Sequence, residues 1–308
     1  MSFFDQYPVQ AFNNLELLAK QVVEGFIIGK HKSPFHGFSV EFAEHRLYNP
    51  GETTKDIDWR VFARTDRLYS KKFEEETNLR CQIILDASSS MYFPEEKLKS
   101  SLTINKLKFS ALGAACIMNI LKAQRDAFGL SIFDDKLEIH TQAKSSTKHY
   151  QLCLNYMERF IQDYKLNRKG ATADALHQIA EQIHKRSMVI LFTDMFDDAD
   201  QLEPIIHGLQ HLKYNKHEVL VFHVLDKNLE LEFEFENRPY QFVDMESGEQ
   251  IRVQSHQIRE QYVRQVKEYH SKIRDICIRY KIDYHESDIN EGYTYILNSF
   301  LGKRNRML

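Results

Sequence analysis

Three short segments of the sequence carry oxygen-bearing side chains at positions where they could bind a metal ion. The first, Asp86–Ser90, has the sequence D-A-S-S-S and directly follows the apolar run C-Q-I-I-L. The second carries Thr172, where a helix should begin, and the third carries Asp194, where an apolar strand should end. Carboxylate and hydroxyl oxygens are ligands that suit Mg²⁺ and Mn²⁺. We therefore predict a site for one divalent cation with these ligands: Asp86, Ser88, Ser90, Thr172 and Asp194.

The elements that would position these ligands alternate between strand and helix from residue 80 onward. Apolar runs predict strands at the following positions: one ending at Asp86, Ala127–Phe133, Leu137–Thr141, and two more ending at Asp194 and Asp226. Helices are predicted between them, the first from about Thr103 to Gln124. This alternation is typical of an α/β fold with a mainly parallel sheet covered by helices on both faces. The carboxyl ends of parallel strands share one edge of such a sheet, so the three segments should meet there.

The chain is predicted to contain two domains, residues 1–79 and residues 80–308. The first begins with a helix, because apolar residues recur at helical spacing from residue 9 to residue 28. It continues as a small strand-rich element, because short alternating stretches occur between Phe38 and Lys72.

The second domain is the α/β domain. In its later part, one segment interrupts the alternation of strands and helices. Alternating apolar residues near 231–253 predict a β insertion at the edge of the sheet. A long helix follows, with an apolar stripe from Ile258 to Tyr280 that should face the core. A strand at Ile282–His285 and a helix from about Gly292 to Leu301 are predicted to complete the fold.

Composition and charge exclude several classes of protein. The chain has 308 residues, 43% of them hydrophobic, and a formal net charge of −3 from 41 basic and 44 acidic residues. It can bury a large core, and it has no overall field that would attract nucleic acid or a membrane surface. The N-terminus does not resemble a signal peptide, and the longest apolar stretch is too interrupted for a transmembrane segment. The cysteines are widely spaced and are predicted to be reduced core thiols of a cytoplasmic protein: Cys81, Cys116, Cys153 and Cys277.

The three polar segments together resemble the metal-ion-dependent adhesion site of von Willebrand factor A-type domains, which has the pattern D-x-S-x-S, then a threonine, then an aspartate. The resemblance implies that Ser88, Ser90 and Thr172 ligate Mg²⁺ or Mn²⁺ through their hydroxyls. It implies that Asp86 and Asp194 act largely through bound water. An open coordination position would then accept an acidic side chain from a protein partner.

The segment before residue 80 narrows the resemblance to one bacterial family. The runs E-F-A-E-H-R-L-Y-N-P-G-E from Glu41, D-I-D-W-R from Asp56 and A-R-T from Ala63 resemble the signature of domain of unknown function family 58. The resemblance extends from about Gly29 to the C-terminus, with Glu52 where the family usually has Asp and Lys55 where it usually has Arg. Members are commonly encoded beside MoxR-type AAA+ ATPases, which implies a role as partner or adaptor of such an ATPase or its client.

Two alternatives stay open for the charged residues around the single tryptophan. They could form a structural clamp through stacking and charge-assisted hydrogen bonds, or a patch that binds a partner: Arg46, Asp58, Trp59, Arg60 and Arg64. The apolar rim of the metal site could also serve a partner if its side chains are exposed: Met91, Tyr92, Phe93, Met195 and Phe196.

Three classes of function compete for the metal site. A non-enzymatic interaction module is favoured, because hydroxyl ligands leave the metal positively charged and able to accept an external anion. A metal-assisted hydrolase is the alternative, but the sequence has no G-x-S-x-G elbow and no P-loop. A nucleic-acid binder would use a set of lysines that we expect to be solvated instead: Lys97, Lys99, Lys106 and Lys108. Several histidines are likewise expected on solvated faces: His140, His207, His211 and His217.

Overall fold

The computed structural model describes residues 14–30, 45–47, 59–66, 68–71, 79–94, 104–163, 172–195 and 202–307. Contacts divide the chain into a main unit, Met1–Ile27 with Leu79–Leu308, and a smaller unit, Ile28–Asn78. Most of the first helix, α1 (Leu15–Lys30), therefore groups with the main unit. Its buried residues, including Leu15 and Leu18, belong to the core of that unit. The sequence had instead grouped this helix with the segment before residue 80.

The smaller unit contains two short strands and one short helix among its described residues. Strands β1 (His45–Leu47) and β2 (Tyr69–Lys71) pair antiparallel, and helix α2 (Trp59–Thr65) lies between them in the sequence. The two strands agree with the predicted strand-rich element, whereas Trp59 and Arg60 lie in a helix instead of a strand. The segment W-R-V-F-A-R-T has mixed propensity, with alanine and two arginines that favour a helix, and acidic residues precede it in the sequence, where they favour a helix N-terminus.

A six-stranded sheet forms the centre of the main unit. The strands of this unit are β3 (Arg80–Asp86), β4 (Ala127–Phe133), β5 (Leu137–His140), β6 (Met188–Thr193), β7 (Glu218–Leu225), β8 (Pro239–Val243), β9 (Gln250–Gln254) and β10 (Asp283–Asp288). The central sheet has the order β10-β7-β6-β3-β4-β5, and only β5 is antiparallel to its neighbour. The predicted α/β fold with a mainly parallel sheet is confirmed.

Helices cover both faces of this sheet. They are α3 (Lys106–Ala123), α4 (Thr147–Gln162), α5 (Thr172–Gln182), α6 (Leu202–Tyr214), α7 (Ser255–Arg279) and α8 (Thr294–Met307). Successive strand residues point to opposite faces, so Ile83 packs with α1, α3, α4 and α8, whereas Ile84 packs with α5, α6 and α7. Because both faces are covered, the central strands are largely apolar, and β6 is buried along its whole length.

The β insertion predicted near residues 231–253 is a two-stranded hairpin of β8 and β9, paired antiparallel. A π turn over Lys227–Leu231 links β7 to the segment before this hairpin. Aromatic side chains pack around the hairpin, with the Phe233 ring 5.6 Å from that of Phe242 and 4.6 Å from that of Tyr262 on α7. Ring packing therefore connects the insertion to helix α7.

Candidate metal centre at the carboxyl edge of the sheet

The two predicted aspartate ligands lie side by side at the carboxyl edge of the central sheet. Asp86 is the last residue of β3, and Asp194 directly follows β6. These strands are parallel neighbours, with Leu85 opposite Phe192 in the register. Both aspartates are buried. Strand pairing alone thus brings together two side chains from distant parts of the sequence, as predicted.

The D-A-S-S-S loop folds back on its own carboxylate. The backbone N–H of Ser88 donates to Oδ1 of Asp86 at 2.9 Å, and a 3₁₀ turn begins at Ser89. The hydroxyl oxygens of Ser88 and Ser90 lie 3.1 Å apart. On the other side, the hydroxyl of Thr193 donates to Oδ2 of Asp86 at 2.7 Å. These contacts fix the orientation of the Asp86 carboxylate and place two hydroxyls beside it.

Thr172 has the predicted place in the fold, as the buried first residue of α5. Among the hydrogen bonds of the described residues, none joins Thr172 to the other four predicted ligands. Residues 164–171, which lead into it, are outside the described part of the chain. The structure therefore brings four of the five predicted ligands into one loop cluster and leaves the role of Thr172 a prediction.

The closeness of two buried carboxylates opposes the ionisation of Asp86. Burial and the nearby charge of Asp194 raise the pKa of Asp86 to about 7, although hydrogen bonds from Thr193 and Ser88 act in the opposite direction. Two carboxylates in a water-poor setting repel each other unless a positive charge lies between or beside them. A positive charge at this edge of the sheet would therefore stabilise the ionised form of Asp86.

One positive charge is supplied by a buried lysine. The Nζ atom of Lys106 lies 2.8 Å from Oδ2 of Asp194 and 2.6 Å from Oε1 of Glu230. Its side chain is only 1% exposed. Burial would lower the pKa of the Lys106 ammonium group, but the carboxylates of Asp194 and Glu230 outweigh burial and raise it above its ordinary value. Lys106 is thus a permanent cation in contact with a predicted metal ligand.

This position of Lys106 corrects the expectation of a solvated lysine face. Lys106 and Lys108 are both buried at the start of α3, because that helix is packed on nearly all sides. Lys97 and Lys99 lie outside the described residues. Neither described lysine is available to contact a nucleic acid backbone.

The carboxylate partner Glu230 lies in the π turn after β7, a region that sequence reasoning did not connect with the site. Its Oε2 accepts a hydrogen bond of 2.7 Å from the backbone N–H of Asp226. The Asp226 side chain in turn accepts from the backbone N–H groups of Asn228 and Leu229, each at 3.2 Å. These bonds hold the turn, and with it Glu230, in a fixed position.

Sequence reasoning also missed Thr193 and the ion-pairing role of Lys106. The signal for Thr193 was its place directly before Asp194 at the end of an apolar strand. The signal for Lys106 was a charged residue at the start of a helix whose next residues are almost all apolar. Neither signal identifies a partner, because the contacts join positions that are far apart in the sequence.

The residues present fit a divalent cation. Three carboxylates and one ammonium group carry a net charge of −2 when all are ionised: Asp86, Asp194, Glu230 and Lys106. One divalent ion would neutralise this charge, and the available donors are the hard oxygen atoms that Mg²⁺ and Mn²⁺ prefer. A second acidic cluster, Asp134, Asp135 and Glu138, has ligand atoms within 4.8 Å of one another at the turn between β4 and β5. Acidic clusters of that kind are common without an ion, so it serves below only as a control.

Most of the apolar side chains that were predicted to surround the site are buried in the core. Met91, Tyr92 and Met195 are buried, and the Tyr92 hydroxyl donates to the backbone carbonyls of Phe160 and Asp163. These side chains belong to the core because the loop after Ser90 turns inward over α4. Phe93 is half-buried, and residue 196 is outside the described part.

The solvated positions predicted for histidines are wrong for three of the four residues. His217 is fully buried, and its Nδ1 accepts from the backbone N–H of Ser187 at 3.2 Å. His211 is half-buried, with its Nδ1 atom 3.0 Å from Nδ1 of His177 across the contact between α5 and α6. His140 is half-buried in β5, whereas His207 is exposed. The packing of helices and strands determines how far these histidine side chains are buried. The residue type alone does not predict it.

The charged motif around the tryptophan is only partly described. Arg46 lies in β1, whereas Trp59, Arg60 and Arg64 lie in α2. Asp58 is outside the described residues. The choice between a structural clamp and a partner-binding patch therefore stays open.

The strand order and the polar loops at the carboxyl edge define a von Willebrand factor A-like α/β domain. A sequence model described as "Protein of unknown function DUF58" matches residues 44–272. The match covers more than half of the chain, so the protein belongs to this family.

Curated relatives are uncharacterized proteins of Mycobacterium tuberculosis and Mycobacterium bovis. Each is 24% identical over 216 residues, which is 70% of this chain and 64% of the relative. The matched region thus spans less than two thirds of the length of these relatives.

Solved structures with a similar arrangement include the conserved hypothetical protein BatB from Bacteroides thetaiotaomicron. It has 12% sequence identity and a TM-score of 0.45, and the match covers 74% of this chain and 98% of BatB. The SpRpn10 VWA domain has 11% identity and a TM-score of 0.39, with 72% of this chain and 94% of that domain covered. Within the described residues, no helix combines the length and the apolar character that crossing a bilayer requires.

Proposed function

We propose that this protein is a metal-dependent interaction module that works without catalysis. One Mg²⁺ or Mn²⁺ ion would be held by the side chains of Asp86, Ser88, Ser90, Thr172 and Asp194. The bound ion would supply a positive centre for an acidic side chain of a protein partner. Family membership adds the expected partner, an AAA+ ATPase of the MoxR type or a protein that this ATPase remodels, in the bacterial cytoplasm.

One observation carries this proposal: Asp86 and Asp194 are buried side by side, next to the paired hydroxyls of Ser88 and Ser90. Lys106 offsets only part of this negative charge, and an ionised carboxylate without a positive partner costs free energy when it is buried. The carboxylate oxygens and the hydroxyls form a hard-ligand set. Since hydroxyl ligands carry no charge, the bound cation keeps part of its positive charge for an external anion.

The burial of Asp86 determines which variant tests the proposal. Asp86 lies where β3 meets a loop, but its side chain is buried and accepts hydrogen bonds from Thr193 and Ser88. An alanine there would leave a cavity and unpaired donors. Asp86→Asn keeps the shape and one acceptor oxygen while it removes the negative charge, so it is the sharper variant.

The experiment is a binding assay between the purified chain and the MoxR-type ATPase of the same bacterium, with and without chelator. We expect binding of the wild type with Mg²⁺, and loss of binding with chelator or with Asp86→Asn. Asp135→Asn, which changes the exposed member of the acidic cluster between β4 and β5, is the matched control and should bind like the wild type. Binding that survives both chelator and Asp86→Asn would contradict a metal-dependent interaction. Metal-dependent phosphoester or peptide hydrolysis that Asp194→Asn abolishes would instead establish a hydrolase.

A further inference from the structure

A buried ion-pair network borders the candidate metal centre on the side of β7. Lys106 contacts both Asp194 and Glu230, whereas Asp194 is also a predicted ligand of the cation. The lysine and the cation would therefore share one carboxylate. Lys106 and Glu230 are not predicted ligands, but their charges contribute to the electrostatic potential at the cation.

We propose that Lys106 and Glu230 set the charge preference of this site, so that it favours a divalent cation over a trivalent one. The inference rests on the proposed function and concerns the specificity of the same site. Lys106 reduces the negative charge near the cation by one unit, and Glu230 restores one unit. Replacing either residue by a neutral one of similar shape should shift the preference in opposite directions.

Hydrogen bonds hold the two segments that carry these charges. Lys106 is the first residue of α3, whose N-cap Asn105 accepts from the backbone N–H of Lys108 at 2.8 Å. Glu230 is tied to the backbone N–H of Asp226. A fixed charge in a buried setting is not screened as a surface charge would be. The two side chains are therefore held near the site, where their charges act on a bound cation.

The size of the effect follows from Coulomb's law. At an effective dielectric constant of about 20, two unit charges less than roughly 10 Å apart interact by more than about 1.4 kcal/mol, a tenfold change in affinity. Lys106 touches a predicted ligand, so the cation would be within that distance. A trivalent ion experiences one additional unit of this repulsion relative to a divalent ion. The ratio of the two affinities therefore reports the Lys106 charge directly.

The chain contains a matched control at the opposite edge of the sheet. Lys303 is also buried between two carboxylates, with its Nζ atom 2.6 Å from Glu218 and 3.1 Å from Asp283. Glu218 and Asp283 are the first residues of β7 and β10, so this network lies at the amino ends of the strands. Lys303→Met removes the same type of buried charge, but far from the candidate metal centre.

The experiment measures the dissociation constants of Mn²⁺ and Tb³⁺ for the full chain and three variants at neutral pH. Mn²⁺ binding is followed by electron paramagnetic resonance and Tb³⁺ binding by luminescence. We expect Lys106→Met to increase the preference for Tb³⁺ over Mn²⁺ by tenfold or more, because the charge it removes repels the trivalent ion more strongly. Glu230→Gln should decrease this preference, and Lys303→Met should leave it unchanged.

Each outcome decides the proposal. If the wild type binds Mn²⁺ but both Lys106→Met and Glu230→Gln keep the wild-type preference, the charge-preference inference is wrong and the metal site stands. If the wild type binds neither ion, the proposed metal site itself is wrong, and the inference fails with it. Should Lys106→Met not fold, because it leaves two carboxylates facing each other, Glu230→Gln alone decides, since Lys106 keeps its contact with Asp194.

Discussion

The ammonium nitrogen of Lys106 lies 2.8 Å from Oδ2 of Asp194, although the two residues are 88 positions apart in the sequence. This contact places a permanent positive charge beside a carboxylate that the sequence pattern assigns to a metal. It balances part of the charge that Asp86 and Asp194 bring to the carboxyl edge of the sheet. The remaining negative charge is what the proposed divalent cation would offset.

A first prediction concerns the hydroxyl that positions Asp86. Thr193→Val should lower the free energy of unfolding by about 1–3 kcal/mol, because it leaves a buried carboxylate oxygen and the backbone N–H of Met195 without their shared partner. Thr193→Ser keeps the hydroxyl and should retain most of the stability. Urea titrations of both variants provide the test, and equal stabilities would contradict a hydrogen-bonding role for Thr193.

A second prediction concerns the packing of α5, the helix that begins at Thr172. A Cβ atom on Gly208 of α6 would lie 2.9 Å from the Cβ of Leu176 and 3.3 Å from the carbonyl oxygen of Ala173. Gly208→Ala should therefore force the two helices apart and destabilise the protein by about 1–3 kcal/mol.

The matched control for this substitution is Gly302 in α8, where a Cβ atom would meet nothing within 4 Å. Gly302→Ala should increase the free energy of unfolding by up to about 1 kcal/mol, because alanine is the better helix former. Thermal unfolding of the two variants should thus shift in opposite directions. A destabilised Gly302→Ala, or a Gly208→Ala as stable as the wild type, would contradict this account of the helix contact.

A third prediction concerns pH. Burial lowers the pKa of His223 to about 3, so the folded protein keeps this side chain neutral while the unfolded chain protonates it near its ordinary pKa of 6.5. Because the unfolded state then binds more protons, stability falls as the pH drops below about 6.5. Ionisable groups that act on His223 come from the surrounding elements: Lys106, Asp194, His270, Tyr284 and Glu286.

His223→Asn removes the titration and keeps an atom that can hydrogen-bond to Tyr284. We expect the loss of stability between neutral pH and about pH 5 to be smaller in this variant by up to roughly 2 kcal/mol. The exposed residue His207 gives the control, because His207→Asn should retain the wild-type pH dependence. Parallel pH profiles for the wild type and His223→Asn would show that His223 does not cause the loss.

The sequence predicted those parts of the fold that depend on local pattern. Strand β4 has the predicted bounds Ala127–Phe133, and the strands ending at Asp86 and near Asp194 were found from their apolar runs. Because parallel strands end at a common edge, the meeting of the two aspartates also followed from the pattern. The hairpin of β8 and β9 lies in the region of the predicted insertion, because alternating apolar and polar residues indicate a strand.

The contacts of the site could not be derived in the same way. The sequence alone does not distinguish Lys106 from a solvated lysine. Glu230 reaches Lys106 only because of the turn after β7. The helix at Trp59 also differs from the expected strand, because seven residues of mixed propensity do not determine their own structure. Tertiary contacts between distant segments determine the structure at these positions. Such contacts cannot be inferred from the pattern of a single sequence.

The most direct test of the central claim is calorimetric titration of the metal-free protein with Mn²⁺. The account predicts one ion per chain for the wild type and for Asp135→Asn, and loss of this binding in Asp86→Asn. At a free Mn²⁺ concentration about tenfold above the dissociation constant, the wild type should also gain about 1.4 kcal/mol of stability. Wild-type protein that binds no Mn²⁺, or Asp86→Asn that binds it as tightly as the wild type, would contradict a metal centre at Asp86.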